Sequence, residues 1–349
     1  MMNIKKMLYS SNEKELLKAL EIIAEEQKNK YAKDLFKMLK YENNIIVQEA
    51  IINTLKQLNL ENIPDELFLN LLSDEKLLLK EFALSLLSIS KKIKVLGKLI
   101  ESEDKDIRKY ALDGLYRTKE KEAIKYIAKC LNDPDINNQI AAIEYLGLLG
   151  ANEYAEEISE KLKTAKNPFL ITTILETLSL IGNEKTDKII DEKIKKLNKP
   201  YLIIPYSKYI FSRKNVFECI DFFANNKHKK MIINDFLEYI FRNYKNIKIY
   251  QKLKNKLGEI LIDILKSEDF DTYKYDILIV LNNLFEDEIE DILKENIKYL
   301  NDEGIMAAVE IVNERKLTSL KEDLQEVKEK FSEEVRAIID DVFLEMKEW

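Results

Sequence analysis

Tyr110-Ala-Leu-Asp-Gly-Leu115, Ala141-Ala-Ile-Glu-Tyr-Leu146 and Thr173-Ile-Leu-Glu-Thr-Leu178 recur at offsets of 31 and then 32 residues. A recurrence of that length describes a unit of two helices, too small to bury its apolar face alone and stable only when stacked on its neighbours. Glycine closes two of these segments, at Leu146-Gly-Leu-Leu-Gly150 and Leu178-Ser-Leu-Ile-Gly182, where a left-handed residue can end a helix. Asp133 followed by Pro134 reads as a cap and a first helical residue. Ala111, Ala141 and Ala142 are small enough to let helices approach, with leucines four residues on filling the layer between them.

Outward from this stretch the period drifts, with 28 residues between Ala83 and Ala111. Asn12 and Glu15 fit a capping box ahead of a helix carrying Leu16, Leu17, Leu20, Ile23 and Ala24. Further helices are expected over 32–39 and 45–58, after Pro64, and around Phe82 to Leu87. The pattern of paired helices resumes after Asp269, ending with a helix over 333–346 and with Trp349 expected to cover the last pair. Seven glycines and five prolines in 349 residues are too few for a many-stranded fold. The expectation is an all-α solenoid with three segments: regular repeats over 1–200, an irregular basic and aromatic stretch over 201–268, and regular pairs with a cap over 269–349.

Ile107-Arg108-Lys-Tyr-Ala111-Leu-Asp-Gly-Leu115, followed one unit later by Ala142, Leu146 and Gly150 at four-residue spacing, resembles the second-helix signature of HEAT-like repeats. The short kind found in phycobilisome lyases is the most similar. Glu334-Val335-Arg336-Ala-Ile-Ile339 is similar to it as well, with isoleucine in place of the small residue. The resemblance implies a right-handed superhelix of antiparallel helix pairs that holds other macromolecules on its concave side. It names no catalytic position and gives no evidence for a bound bilin.

Composition narrows the chemistry. No run approaches the roughly 18 apolar residues of a membrane span, and the opening Met1-Met-Asn-Ile-Lys-Lys-Met-Leu lacks the apolar region and cleavage site of a secretory signal. Cys130 and Cys219 cannot staple a chain of this length and are expected as buried thiols in a reducing cytoplasm. A single histidine, His228, cannot build the His and carboxylate clusters of the iron-binding helical-repeat hydroxylases. There is no Gly-x-Ser-x-Gly elbow, no Cys-x-x-Cys and no phosphate-cradling glycine loop. The chain is therefore expected to be non-enzymatic, with no catalytic residue, metal or cofactor. A lyase or DNA-glycosylase type of activity is the remote alternative.

Charge is uneven. Residues 193–256 hold 16 Lys or Arg against Glu218, Asp221, Asp235 and Glu238, a local +12, which leaves −19 for the rest. The same window holds 12 of the 31 Tyr and Phe residues. One reading places the aromatics in the core and the lysine stems over apolar surface. The other gathers the cations on one face, where they attract an acidic protein surface through charge opposition, with affinity from a few aromatic or arginine contacts. Candidate contacts are Arg108, Tyr206, Tyr209, Arg213, Tyr244, Lys245, Lys248 and Lys252. The functional expectation is a cytoplasmic scaffold or adaptor for a protein partner. The alternative is a nucleic-acid binder whose lysines neutralise phosphates while its tyrosines stack on bases.

Overall fold

The computed structural model describes residues 4–197 and 199–347, the side chains of 195–197 excepted. Every regular element among them is helical. The chain forms two compact units, 1–196 and 197–349. The expected cap at Trp349 lies outside the described residues.

The first unit begins with α1 (Ile4–Leu8), α2 (Glu13–Glu25), α3 (Ala32–Tyr41), α4 (Ile45–Gln57), α5 (Asp65–Leu72), α6 (Leu77–Ile89) and α7 (Ile93–Leu99). It continues with α8 (Lys105–Thr118), α9 (Lys121–Lys129), α10 (Ile136–Leu148), α11 (Ala155–Leu162), α12 (Pro168–Ile181) and α13 (Glu184–Leu197). Consecutive helices fold back on one another, and the even-numbered helices from α2 to α12 pack side by side as one row. The three recurring hexamers fall on α8, α10 and α12 of that row.

Small residues set the spacing in the row, as the repeats imply. A Cβ added at Gly147 on α10 would lie 2.9 Å from Thr177 Cγ2 and 3.3 Å from Thr177 Cα on α12. Thr177 also donates its hydroxyl across the junction to the Ile143 carbonyl at 3.1 Å. Thr54 on α4 repeats this bond weakly with the Leu20 carbonyl of α2 at 3.4 Å, and makes a shorter one within its own helix to Ala50 at 2.9 Å. Between the row and the intervening helices lie fully buried leucines and isoleucines such as Leu115, Ile127, Leu146, Ile158 and Leu178. Each contributes about 1.5–3 kcal/mol by leaving water.

Three local expectations are corrected. Asp133 does not cap α10: Asp135 does, accepting from the Asn137 and Asn138 N–H groups, and Pro134 therefore precedes the cap. Gly150 is left-handed at φ +67°, but Gly182 is not, with φ −62° and ψ 164°. Lys91, Lys119 and Lys316 adopt that left-handed conformation elsewhere despite their side chains. Asn12 caps α2 through the Lys14 N–H, yet Glu15 accepts from the Ser10 hydroxyl and closes no capping box. A capping box does form at Asn215 and Glu218.

The second unit contains α14 (Ile203–Arg213), α15 (Val216–Ala224), α16 (Lys229–Ile249), α17 (Gln251–Leu265), α18 (Lys274–Leu284), α19 (Ile289–Asn296), α20 (Asp302–Arg315), α21 (Lys321–Val327) and α22 (Glu333–Glu345). Here too the even-numbered helices are successive neighbours. One continuous core runs from Ile220 to Met346 and crosses 268/269 without a break. Irregular composition in the first half of this unit thus still produces paired helices. Aromatic rings fill the layer that leucine fills elsewhere: Phe223 stacks on Phe236 at 3.7 Å, and Phe211 meets Phe222, Phe236 and Tyr239 at 5.5–5.9 Å.

Candidate partner-binding surfaces

Arg108 is buried, and its guanidinium is committed inside the chain. Nε and Nη2 donate to the two Asp133 carboxylate oxygens at 2.7 and 2.8 Å, while Nη1 donates to the Ser102 and Glu103 carbonyls at 2.9 Å. These bonds hold the guanidinium above its ordinary pKa. Burial alone would raise the Asp133 carboxyl, but hydrogen bonds from Arg108 and the Asp135 N–H bring it below its usual range. The pair fastens α8 to the turn that starts α10, and leaves Arg108 little surface to offer a partner.

The other sequence-predicted residues fall in the second unit. Tyr209 is fully buried, and Tyr206 is half-buried between it and Phe222, with centroids 6.1 and 5.6 Å away. Arg213, also half-buried, ends α14. The contact of Phe211 with Phe236 and Tyr239 sets the register of α14 against α16, so that α14 ends roughly level with Phe241. The last eight residues of α16 continue past that level, where Ile247 is buried and Lys248 meets Glu286 just after α18. Tyr244, Lys245 and Lys248 lie on this last stretch of α16, and Lys252 follows at the start of α17. The structure thus groups four of the eight predicted contacts around the end of α16 and the start of α17, while Arg108 belongs to the first unit.

Three residues that sequence reasoning passed over complete that end. Ile249 is 75% exposed, Tyr250 55% and Phe217 49%. Phe217 and Tyr250 pack edge to face at 5.8 Å. The pattern around them carried a signal: Ile247 and Leu253 are buried, which turns 249 and 250 outward. Phe217 could be located only by knowing that α15 lies beside α17, where Asp221 pairs with Lys256.

Many cations of the window are answered by acids. Lys248 pairs with Glu286 at 2.8 Å, and buried Lys254 with Glu288 at 3.1 Å. The hydrogen bond from Lys248 lowers the Glu286 carboxyl pKa. Glu286 and Glu288 thus meet lysines from the preceding pair. Lys245 and Lys252 have no acidic partner among the described residues. Of the twelve aromatics, Tyr209, Phe223 and Phe236 are buried, five are half-buried, and Tyr201, Phe217, Phe241 and Tyr250 are exposed.

In the first unit, the even-numbered row presents a different face. Asp113, Glu144 and Glu176 occupy the same place in the three hexamers. Glu21 and Glu25 line a groove of about 840 Å³ opposite Asn53 and Gln57, between α2 and α4, together with Lys14 and Lys18. Glu81, Asp113 and Arg117 line a smaller one of about 330 Å³ between α6 and α8. One turn beyond the hexamer acids stand Arg117, Leu148 and Leu180, with Ile89 at the matching place on α6. Leu148 is 53% exposed, Leu180 61% and Ile89 50%. Asp113 is braced by Lys109 and by the Tyr145 hydroxyl, which donates to it at 2.6 Å. Burial first, and then this bond to Asp113, raises the Tyr145 pKa.

Both cysteines are free and buried, as expected, and burial pushes the Cys130 thiol up to about 12 and Cys219 to about 11. Among the described residues, no group of three or more His, Cys, Asp and Glu is placed to hold a metal ion. No helix among them is long and apolar enough to cross a membrane. His228 is exposed at the start of α16.

Residues 93–179 match the family model for HEAT repeats, which accords with the paired helices and with the hexamers of α8, α10 and α12. The fold is thus HEAT-like and helical-repeat in kind. No curated protein matches the chain. Among solved structures, an engineered protein aligns over 99% of this chain and 98% of its own, at 16% identity and TM-score 0.36. The complex of CpcE and CpcF of phycocyanin lyase from Nostoc sp. PCC7120 aligns over 68% and 94%, at 15% identity and TM-score 0.30. A second engineered protein covers 56% of this chain and 98% of its own, at 19% identity and TM-score 0.28.

Proposed function

We propose that the chain is a non-enzymatic cytoplasmic scaffold that binds a protein partner, and that its second unit meets an acidic surface of that partner with the C-terminal end of α16 and the start of α17. The observation that carries this reading is the exposed trio Phe217, Ile249 and Tyr250 beside Lys245 and Lys252. Apolar side chains at the centre supply affinity when they are buried, and unpaired lysines at the rim speed encounter with an acidic surface. Lys248 contributes less to attraction because Glu286 already faces it.

Copurification from the native cell identifies the partner, and quantitative binding to variants then tests the surface. Tyr250→Ala with Phe217→Ala is expected to weaken binding at least tenfold, and Lys245→Glu with Lys252→Glu to slow association and reduce its salt dependence. Unchanged binding in both double variants rejects this surface. The nucleic-acid alternative predicts association with DNA or RNA at low salt that falls steeply as salt rises. It is set aside if none is detected at low ionic strength.

A further inference from the structure

The first unit carries a second surface of opposite chemistry. Asp113, Glu144 and Glu176 repeat on α8, α10 and α12, while Ile89, Leu148 and Leu180 stand one turn further along on α6, α10 and α12, with the exposed Arg117 at that place on α8. Single exposed aliphatics are ordinary on protein surfaces. Three at one repeat position, each at least half exposed, form a row that Arg117 interrupts on α8. On the neighbouring helices α10 and α12 an acid and an exposed leucine stand one turn apart, and together they define a surface with two chemical requirements at once.

We propose that this face binds a lysine- or arginine-rich amphipathic helix of another protein, laid across the row. Neighbouring packed helices are about 8–10 Å apart, and seven residues of an α-helix rise about 10.5 Å. A helix with a leucine at every seventh position can therefore place one leucine against each helix it crosses. Basic residues flanking that stripe then fall beside Asp113, Glu144 and Glu176. Lys109 already faces Asp113, and a basic partner helix supplies countercharge to Glu144 and Glu176, where an acidic one meets repulsion.

The inference shares with the scaffold reading only the premise that the chain binds protein. Its unit, residues and charge sign differ from those of the α16 surface, so the two fail separately. The test uses the full chain and a labelled synthetic helix of about 21 residues, long enough at about 31 Å to cross four helices. Leucine stands at every seventh position and lysine beside the stripe. Controls are the same peptide with glutamate for lysine and a scramble of equal composition.

Fluorescence anisotropy is expected to show binding of the lysine peptide alone. Glu144→Lys with Glu176→Lys is expected to weaken it at least tenfold. Leu148→Ser with Leu180→Ser, which leaves charge unchanged, is expected to weaken it about fivefold, and Lys245→Glu with Lys252→Glu to leave it intact. These four positions in the first unit are solvent-facing, and an unchanged circular dichroism melt confirms that the variants fold. Equal binding of the glutamate or scrambled peptide overturns the proposal. So does an affinity indifferent to the acidic substitutions, or one indifferent to the leucine substitutions, since that is charge attraction without a helix stripe. Failure of the lysine peptide to bind the full chain overturns it as well.

Discussion

Asp133→Ala is the substitution that most directly separates stability from binding in the first unit. It strands the Arg108 guanidinium, which is 8% exposed and has its two carboxylate bonds at 2.7 and 2.8 Å removed while the two carbonyl bonds remain. Breaking a buried ion pair from one side costs about 3–5 kcal/mol, because the remaining charge cannot regain water. The orphaned Asp135 N–H adds to this. For a unit of this size that corresponds to a fall in melting temperature of roughly 6–20 °C. Urea unfolding followed by far-ultraviolet circular dichroism measures the total, and hydrogen exchange over α8 and α10 localises it. A loss below about 1 kcal/mol refutes the account of a buried, charge-compensated staple. The double variant Arg108→Met with Asp133→Leu is expected to recover part of the loss, because an apolar pair carries no stranded charge.

The same pair sets a pH dependence of known sign. The Asp133 carboxyl is held below its ordinary value in the folded chain. It therefore contributes stability above the unfolded value of about 3.9 and loses it as pH falls through the folded one. The stability gap between the native chain and Asp133→Asn should be level above about pH 5 and narrow below about pH 4. A gap that stays level to pH 2 refutes the link. Partner binding that falls in Arg108 variants without any loss of stability would instead return Arg108 to the contact role its sequence suggested.

Other expectations follow from single contacts. Gly147→Ala places a Cβ against the Thr177 side chain and backbone, and is expected to cost about 1–3 kcal/mol through separation of α10 and α12, measured by urea unfolding. Thr177→Val keeps the shape but removes the hydroxyl that satisfies the Ile143 carbonyl, with an expected loss of about 1 kcal/mol by the same measurement. Cys130 and Cys219 are expected to resist a thiol-exchange reagent at pH 8 in the native chain and to react together once it is unfolded; fast labelling of folded protein contradicts their burial.

The architecture was legible because it is periodic. Ala111, Ala142 and Leu115, Leu146, Leu178 mark the inner side of a helix whatever its neighbours do, and the row of even-numbered helices follows from them. Features that depend on pairing across tens of residues were not legible. Asp133 and Asp135 both suit a helix cap, and only the position of Arg108, 25 residues earlier, assigns the first to the ion pair. Gly182 differs from Gly150 because the backbone after α12 leaves in an extended conformation, which no residue preference near it dictates. Phe217 became part of a surface only through the contact of α15 with α17.

Charge shows the same division between local and paired information. The +12 of residues 193–256 is a property of a segment, and folding brings acids from outside that segment to several of its cations: Glu286 to Lys248, Glu288 to Lys254 and Asp269 to Lys230. What remains for a partner is not the sum but the residues left over, among them Lys245 and Lys252 beside the exposed trio, and Lys208, Lys227 and Lys229 elsewhere in the segment. The acids of the first unit behave differently. Asp113, Glu144 and Glu176 recur with the helices themselves, so their mutual position is fixed by the repeat, and of the three only Asp113 meets a lysine, Lys109 of its own helix, among the described residues. In a repeat protein, a modest charge in phase with the helices therefore specifies a surface better than a large charge confined to one stretch.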